Sequence, residues 1–213
     1  MIRYTYIYNQ VLQIYKSLPT ISFPLDMEMV YPLLSRCRVL TYQQFAQISY
    51  ASINDVILLC DSKSGCTHYD FSTGRYLILW NSDGSENNVE GRRRWTQAHE
   101  AGHVALKHLP VVATQKLAEN SFNNLAVPEY EVEANMFAST LLCPMPLFEQ
   151  LAIQSPHDIQ RTFGLSSEAS AIRWTAYEKW KLSHRKTFWE NDIKRLYSEQ
   201  NRAQKANNKK TPN

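Results

Sequence analysis

Arg92-Arg93-Arg94-Trp95-Thr96-Gln97-Ala98-His99-Glu100-Ala101-Gly102-His103-Val104-Ala105-Leu106 is the stretch on which the reading of this chain turns. Its apolar and small positions Trp95, Ala98, Gly102 and Leu106 recur at helical spacing, and His99 and His103 fall on the same stripe. Residues four apart are turned by only about 40° around a helix, so imidazoles from successive turns can reach one ion. Glu100 lies just off that line on the His103 side, where a carboxylate meets a metal-bound water without taking a coordination position. Histidines on an inward face would carry a burial penalty without partners, which makes an ordinary buried helix the poorer explanation. The H-E-x-x-H spacing therefore predicts a helix from Arg92 to His108 that holds zinc, with Glu100 as base toward water whose pKa the metal lowers to ~7.

A catalytic zinc takes three protein ligands and keeps a fourth position open. His108 is nearest in sequence, but on a continuing helix it is turned about 140° from His103, which leaves it a packing or helix-terminal role. The other candidates, Glu131 and Glu133, lie on a helix expected from Glu129 to Leu142 and project about 200° apart. Glu131 shares its stripe with Ala134, Asn135, Ala138 and Leu142, small groups for the most part, which let two helices close around a metal. Glu133 shares its face with Met136, Phe137 and Thr140 and suits ordinary packing. The expected set is thus His99, His103 and Glu131 on the metal, Glu100 as the catalytic base, and Asn135 behind them as a hydrogen-bond partner for a ligating histidine.

Working outward, Tyr4, Ile7, Tyr8, Val11, Leu12 and Tyr15 predict a first helix limited by Pro19. Arg38-Val39-Leu40 reads as a short strand, Thr41 with Gln44 as a capping box for a following helix, and the region of Val56 as another short helix. Strands are expected near Thr67 to Phe71 and over Tyr76 to Trp80, joined as a hairpin through Ser72, Thr73 and Gly74. Asn81 to Gly91 reads as a loop. Beyond Cys143-Pro144-Met145-Pro146 the pattern is helical, with one face made by Ala169, Ile172, Ala176, Tyr177 and Trp180 and another by Trp189, Ile193, Leu196 and Tyr197.

The 213 residues suffice for one domain with a substantial core. Apolar residues at 44% and charged residues at 20% exclude a disordered or fibrous chain. No segment has membrane-spanning length, and the start is too polar for a signal peptide, so the expectation is a cytoplasmic protein without membrane contact. Cys37, Cys60, Cys66 and Cys143 accordingly read as reduced thiols, with Cys60 and Cys66 too few for a second zinc site. His68, His157 and His184 default to surface or loop roles. The net charge of +3 does not by itself imply nucleic acid. Arg92 to Arg94 read as a solvated helix start, and Arg202, Lys205, Lys209 and Lys210 as part of a disordered basic tail.

Three segments carry a further likeness: Gly74 to Ile78, Trp95 to His103 with Leu106 and His108, and Glu131 to Ala138 leading to Leu141-Leu142-Cys143-Pro144. Together they resemble the ImmA/IrrE family of metallopeptidases over roughly Phe23 to Phe163. The elements read above predict an α+β fold dominated by helices with a small antiparallel or mixed sheet, and the resemblance implies that it is zincin-like, of the gluzincin type. It also implies Zn2+ on His99, His103 and Glu131 with Glu100 as base, and a helix-turn-helix repressor, often one controlling a mobile element, as protein substrate. The expected organisation is a peptidase core over 1–150, a C-terminal helical region packed on it over 151–200, and the tail over 201–213. Asp158 to Ala169 with Arg173 could form a helix-turn-helix-like unit, so a DNA-binding or protein-binding regulator carrying the same fold is the alternative.

Overall fold

The computed structural model describes residues 1–83, 90–112, 116–118, 128–182 and 187–208. Helix α1 (Tyr4–Ser17) buries Ile7, Val11, Leu12, Ile14 and Tyr15, the stripe expected of an amphipathic helix, and ends where Leu18 turns extended ahead of Pro19. It packs on α6 (Pro128–Leu142), and the Tyr15 hydroxyl donates to the Leu141 carbonyl at 2.5 Å.

Strand β1 (Cys37–Thr41) runs into α2 (Tyr42–Ser49), and α3 (Ile53–Cys60) follows. Both helices start with a reciprocal capping box, Thr41 with Gln44 and Ser52 with Asp55, which satisfies amide donors that a short helix cannot satisfy itself. The hairpin of β2 (Gly65–Asp70) and β3 (Arg75–Trp80) turns at Gly74, whose φ of +66° is open to glycine at no steric cost. With β4 (Lys116–Ala118) these strands form one mixed sheet in the order β1-β3-β2-β4; β1 and β3 are parallel, the other pairs antiparallel.

Because strand side chains alternate, the sheet serves two cores. Tyr76 and Ile78 face the main core, whereas Leu79 and Cys66 join Tyr42, Ala46, Val56 and Cys60 under α2 and α3. Thr67 turns to the main face, where α4 (Glu90–Ala105) lies across the sheet. The main core continues through α6, α7 (Pro156–Phe163), α8 (Ser167–Leu182) and α9 (Phe188–Asn208), with Ile159, Phe163, Tyr177, Trp189 and Ile193 buried in one cluster with α1. The molecule is α+β and mainly helical, with a small mixed sheet.

Several local expectations give way to tertiary structure. The helix expected to reach His108 stops at Ala105, Lys107 takes a left-handed φ of +56°, and a separate α5 (His108–Val112) begins. Arg94 is not a solvated helix start; it is buried, and its guanidinium donates to the carbonyls of Phe163 and Gly164 at the end of α7 and to Glu90. Ile172 is 65% exposed and leaves the face drawn through Tyr177. Cys60 and Cys66, read as reduced, are joined as a disulfide: α3 ends at Cys60, Asp61 takes a left-handed turn, and the chain returns at once as β2, which sets the two Cα atoms 5.5 Å apart. Helix α9 runs to Asn208, eight residues past the expected start of the tail. Residues 209–213 and His184 lie outside the described residues. Among the described residues no helix is long and apolar enough to cross a membrane.

Candidate metal centre

Helices α4 and α6 form the site. Gly102 lets them approach: a Cβ there would meet Phe137 Cδ1 at 3.1 Å and Ala134 Cα at 3.2 Å, so the bare backbone seats one helix in the other. Across this contact His99, His103 and Glu131 converge. The two Nε2 atoms are 3.1 Å apart, His99 Nε2 lies 3.1 Å from Glu131 Oε2, and His103 Nε2 lies 3.5 Å from Glu131 Oε1. Two ligands about 2.05 Å from a tetrahedral zinc are about 3.3 Å apart, so the spacing of the donors fits an ion of that size. The chemistry fits as well. Glu131 Oε1 is buried and has no hydrogen bond among the described residues, and a buried carboxylate oxygen lacking a partner is costly unless a cation completes it.

Both histidines are held from behind. Asn135 Oδ1 lies 3.0 Å from His99 Nδ1, where it accepts the Nδ1 proton and so leaves the lone pair on Nε2. His103 Nδ1 lies 2.9 Å from His108 Nδ1, and His108 Nε2 lies 3.0 Å from Glu133 Oε2. One assignment of protons satisfies this chain: His103 Nδ1–H donates to His108 Nδ1, and His108 Nε2–H donates to Glu133. It requires both rings neutral. Burial, with His99 and His108 nearby, pushes His103 well below its ordinary value, and burial pushes His108 down to about 4 although Glu133 pulls the other way.

Glu133 is anchored in turn by Arg3, which donates its backbone amide at 2.8 Å and its guanidinium Nη2 at 2.5 Å. Burial disfavours the charge on Glu133, but the hydrogen bonds from Arg3 outweigh it and hold the carboxyl at about 2. Glu100 is fully buried, and the Thr67 hydroxyl donates to its Oε2 at 2.6 Å. Thus β2 fixes the carboxylate that α4 presents.

Of the residues singled out in the sequence, the structure brings His99, His103 and Glu131 together, with His99, His103 and Glu100 buried, Glu131 half-buried and Asn135 exposed while it holds His99 from behind. It also corrects two readings. His108 is not turned away, because the break at Lys107 brings it back under His103, and Glu133 is no mere packing group. Pro110 carried the missed signal: proline is accommodated in the first turn of a new helix and not within a continuing one. For Thr67 and Arg3 the sequence held no signal, since 33 and 130 residues separate them from Glu100 and Glu133. The Tyr130 ring lies tilted against the His108 ring, with centroids 4.7 Å apart and planes at 49°. Most of the loop expected over Asn81 to Gly91 lies outside the described residues.

The family profile of the IrrE N-terminal-like domain, Peptidase_M78, matches residues 56–175, more than half of the chain. No curated protein matches.

Proposed function

From the premise that this chain belongs to the Peptidase_M78 family of metallopeptidases, we propose that it is a zinc endopeptidase and that its substrate is a helix-turn-helix repressor. The observation that carries the reading is the convergence of His99 Nε2, His103 Nε2 and the Glu131 carboxylate beside the buried Glu100. Zinc held there would supply a Lewis acid for a peptide carbonyl and a water acidified to a pKa of ~7. Glu100 would serve there as the general base toward water and as the proton donor to the leaving amine. Thr67 keeps the carboxylate aimed, and Asn135 and His108 keep both imidazoles in the ligating tautomer.

The repressor substrate rests on the likeness to the ImmA/IrrE family, and selection of one protein requires contacts beyond the metal helix. The alternative of direct DNA reading through α7 and α8 is less well supported, because the Arg173 guanidinium donates twice to the Cys143 carbonyl at the end of α6. The deciding experiment co-expresses wild type and Glu100→Gln with repressors encoded beside the gene and maps cleavage. Cleavage of one repressor by the wild type alone is the expected outcome. Unselective digestion of unfolded protein would overturn the substrate assignment, and equal cleavage by both forms would overturn the mechanism.

A further inference from the structure

On the sheet face opposite Glu100 lies a second convergence of donors. Cys60, Cys66 and His68 each place a ligand atom within 4.8 Å of the others. Two of them follow from strand geometry: Cys66 and His68 are two apart on β2 and so share a face, while Thr67 between them points to the catalytic side. Cys60 arrives from the last turn of α3 and is, like Cys66, fully buried. His68 Nε2 is also buried and makes no hydrogen bond among the described residues. A buried imidazole nitrogen without a partner is a cost that a ligand would remove.

We propose that, when the Cys60–Cys66 bond is reduced, Cys60, Cys66 and His68 form a second metal site, for a thiophilic divalent ion of the zinc class, separate from the His99–His103–Glu131 centre. Two thiolates and an imidazole are the donor set that selects such ions over oxygen-seeking ones, and a Cys2His set with one open position is a stable arrangement for zinc. Two thiolates balance the charge of a divalent ion. Lys116, paired with His68 across β2 and β4, adds a positive charge that favours thiolates over thiols while the site is empty. His68, Leu59, Leu77 and Leu79 line a groove on this face of the sheet. The disulfide and the metal site are alternative states of the same side chains. A phosphine and one water convert the disulfide to two thiols and a phosphine oxide. Loading a divalent ion then releases the two thiol protons, so the electrons are consumed in the first step and the protons leave in the second.

Cobalt(II) distinguishes the two centres, because only this one contains sulfur. The full-length protein, reduced with a water-soluble phosphine and freed of it under anaerobic conditions, is titrated with Co2+. The expected result is a near-ultraviolet thiolate-to-cobalt absorption that saturates at one equivalent and is bleached by Zn2+. It should be absent from the unreduced protein and lost in Cys66→Ser and Cys60→Ser. It should be altered in position and weakened in affinity in His68→Gln, and unchanged in the double variant His99→Ala, His103→Ala. That variant separates this proposal from the peptidase reading: failure of the catalytic centre leaves the sulfur band in place. In the cysteine variants, visible cobalt bands from the catalytic centre report that the fold is intact, and the unreduced wild type provides a control that needs no substitution. No sulfur band in the reduced wild type, or a band that survives Cys66→Ser, would overturn the proposal.

Discussion

His103 sends its two ring nitrogens to different partners, Nε2 toward Glu131 and Nδ1 toward His108, and so links the candidate metal centre to the amino terminus through Glu133 and Arg3. Removing a link should loosen the imidazole without removing a ligand. Glu133→Ala or His108→Phe is expected to weaken zinc affinity by about 10–100-fold, the usual cost of losing an outer partner of a ligating histidine. Competition against a chromophoric chelator measures it; unchanged affinity in both variants would show that the relay is only packing. Glu131→Ala should cost more, since it removes a donor itself. Glu100→Gln preserves shape and leaves no base, so metal content should stay at the wild-type level while cleavage of a verified repressor falls by at least about 10²-fold. Retention of full activity would refute the assigned base.

Among the elements, the contact of α4 with the end of α7 is built around two glycines and an arginine. Gly164 has a φ of +63°, and a Cβ there would sit 2.5 Å from Arg94 Nη1, while a Cβ on Gly91 would sit 2.6 Å from the Gly164 carbonyl oxygen. Gly164→Ala should therefore destabilise the fold by about 1–3 kcal/mol through backbone strain and displacement of the guanidinium. Arg94→Met, which strips two carbonyls of their donor, should cost a similar amount. Because both disturb one contact, urea denaturation of the double variant should show less than the sum; strict additivity would mean that the two residues act separately. The hairpin offers a pH test. Hydroxyl and amide donation from Ser72 and hydroxyl donation from Thr73 hold the Asp70 carboxyl at about 2 against its ordinary 3.8. A carboxyl with a lowered folded-state pKa contributes its stability above the unfolded value and loses it as pH falls through the folded one. The stability gap between wild type and Asp70→Asn should thus be constant above about pH 5 and shrink progressively as pH falls from about 5 to about 1. A gap that stays at its neutral-pH size down to about pH 2 would dismiss the carboxylate as its source.

Across the whole molecule, α9 closes the structure onto its own beginning. Trp189 stacks on Tyr8 with ring centroids 4.7 Å apart, Ile193 is fully buried, and Gln200 accepts from the Ile21 amide at 2.7 Å and donates to the Leu18 carbonyl at 3.2 Å. Deleting everything after Lys186 is therefore expected to open the core. Ile193→Ala alone should lower stability by about 2–5 kcal/mol. Removal of residues 209–213 should leave the melting temperature unchanged. Calorimetry on the three forms decides it, and a cooperative, unshifted transition in the chain ending at Lys186 would show that α9 is dispensable.

What the sequence determined by itself was local. Periodicity placed His99 and His103 on one stripe, the capping box started α2 at Thr41, and the proline after Cys143 bounded α6, because each depends on residues within a turn or two of one another. The segregation of Glu131 from Glu133 was legible for the same reason: a helix fixes directions relative to its own axis. What those directions meet was decided only by tertiary structure. Lys107 adopts a left-handed conformation that no glycine announced, and this returns His108 to His103. Thr67 reaches Glu100 because the sheet register sets β2 beneath α4, and Arg3 reaches Glu133 because α1 packs on α6 across 130 residues of chain. Cys60 meets Cys66 through a turn at Asp61 that composition does not reveal. Such contacts exist only once burial of apolar faces has fixed how the elements pack, so the groups that aim the site arise from the fold and not from any one segment.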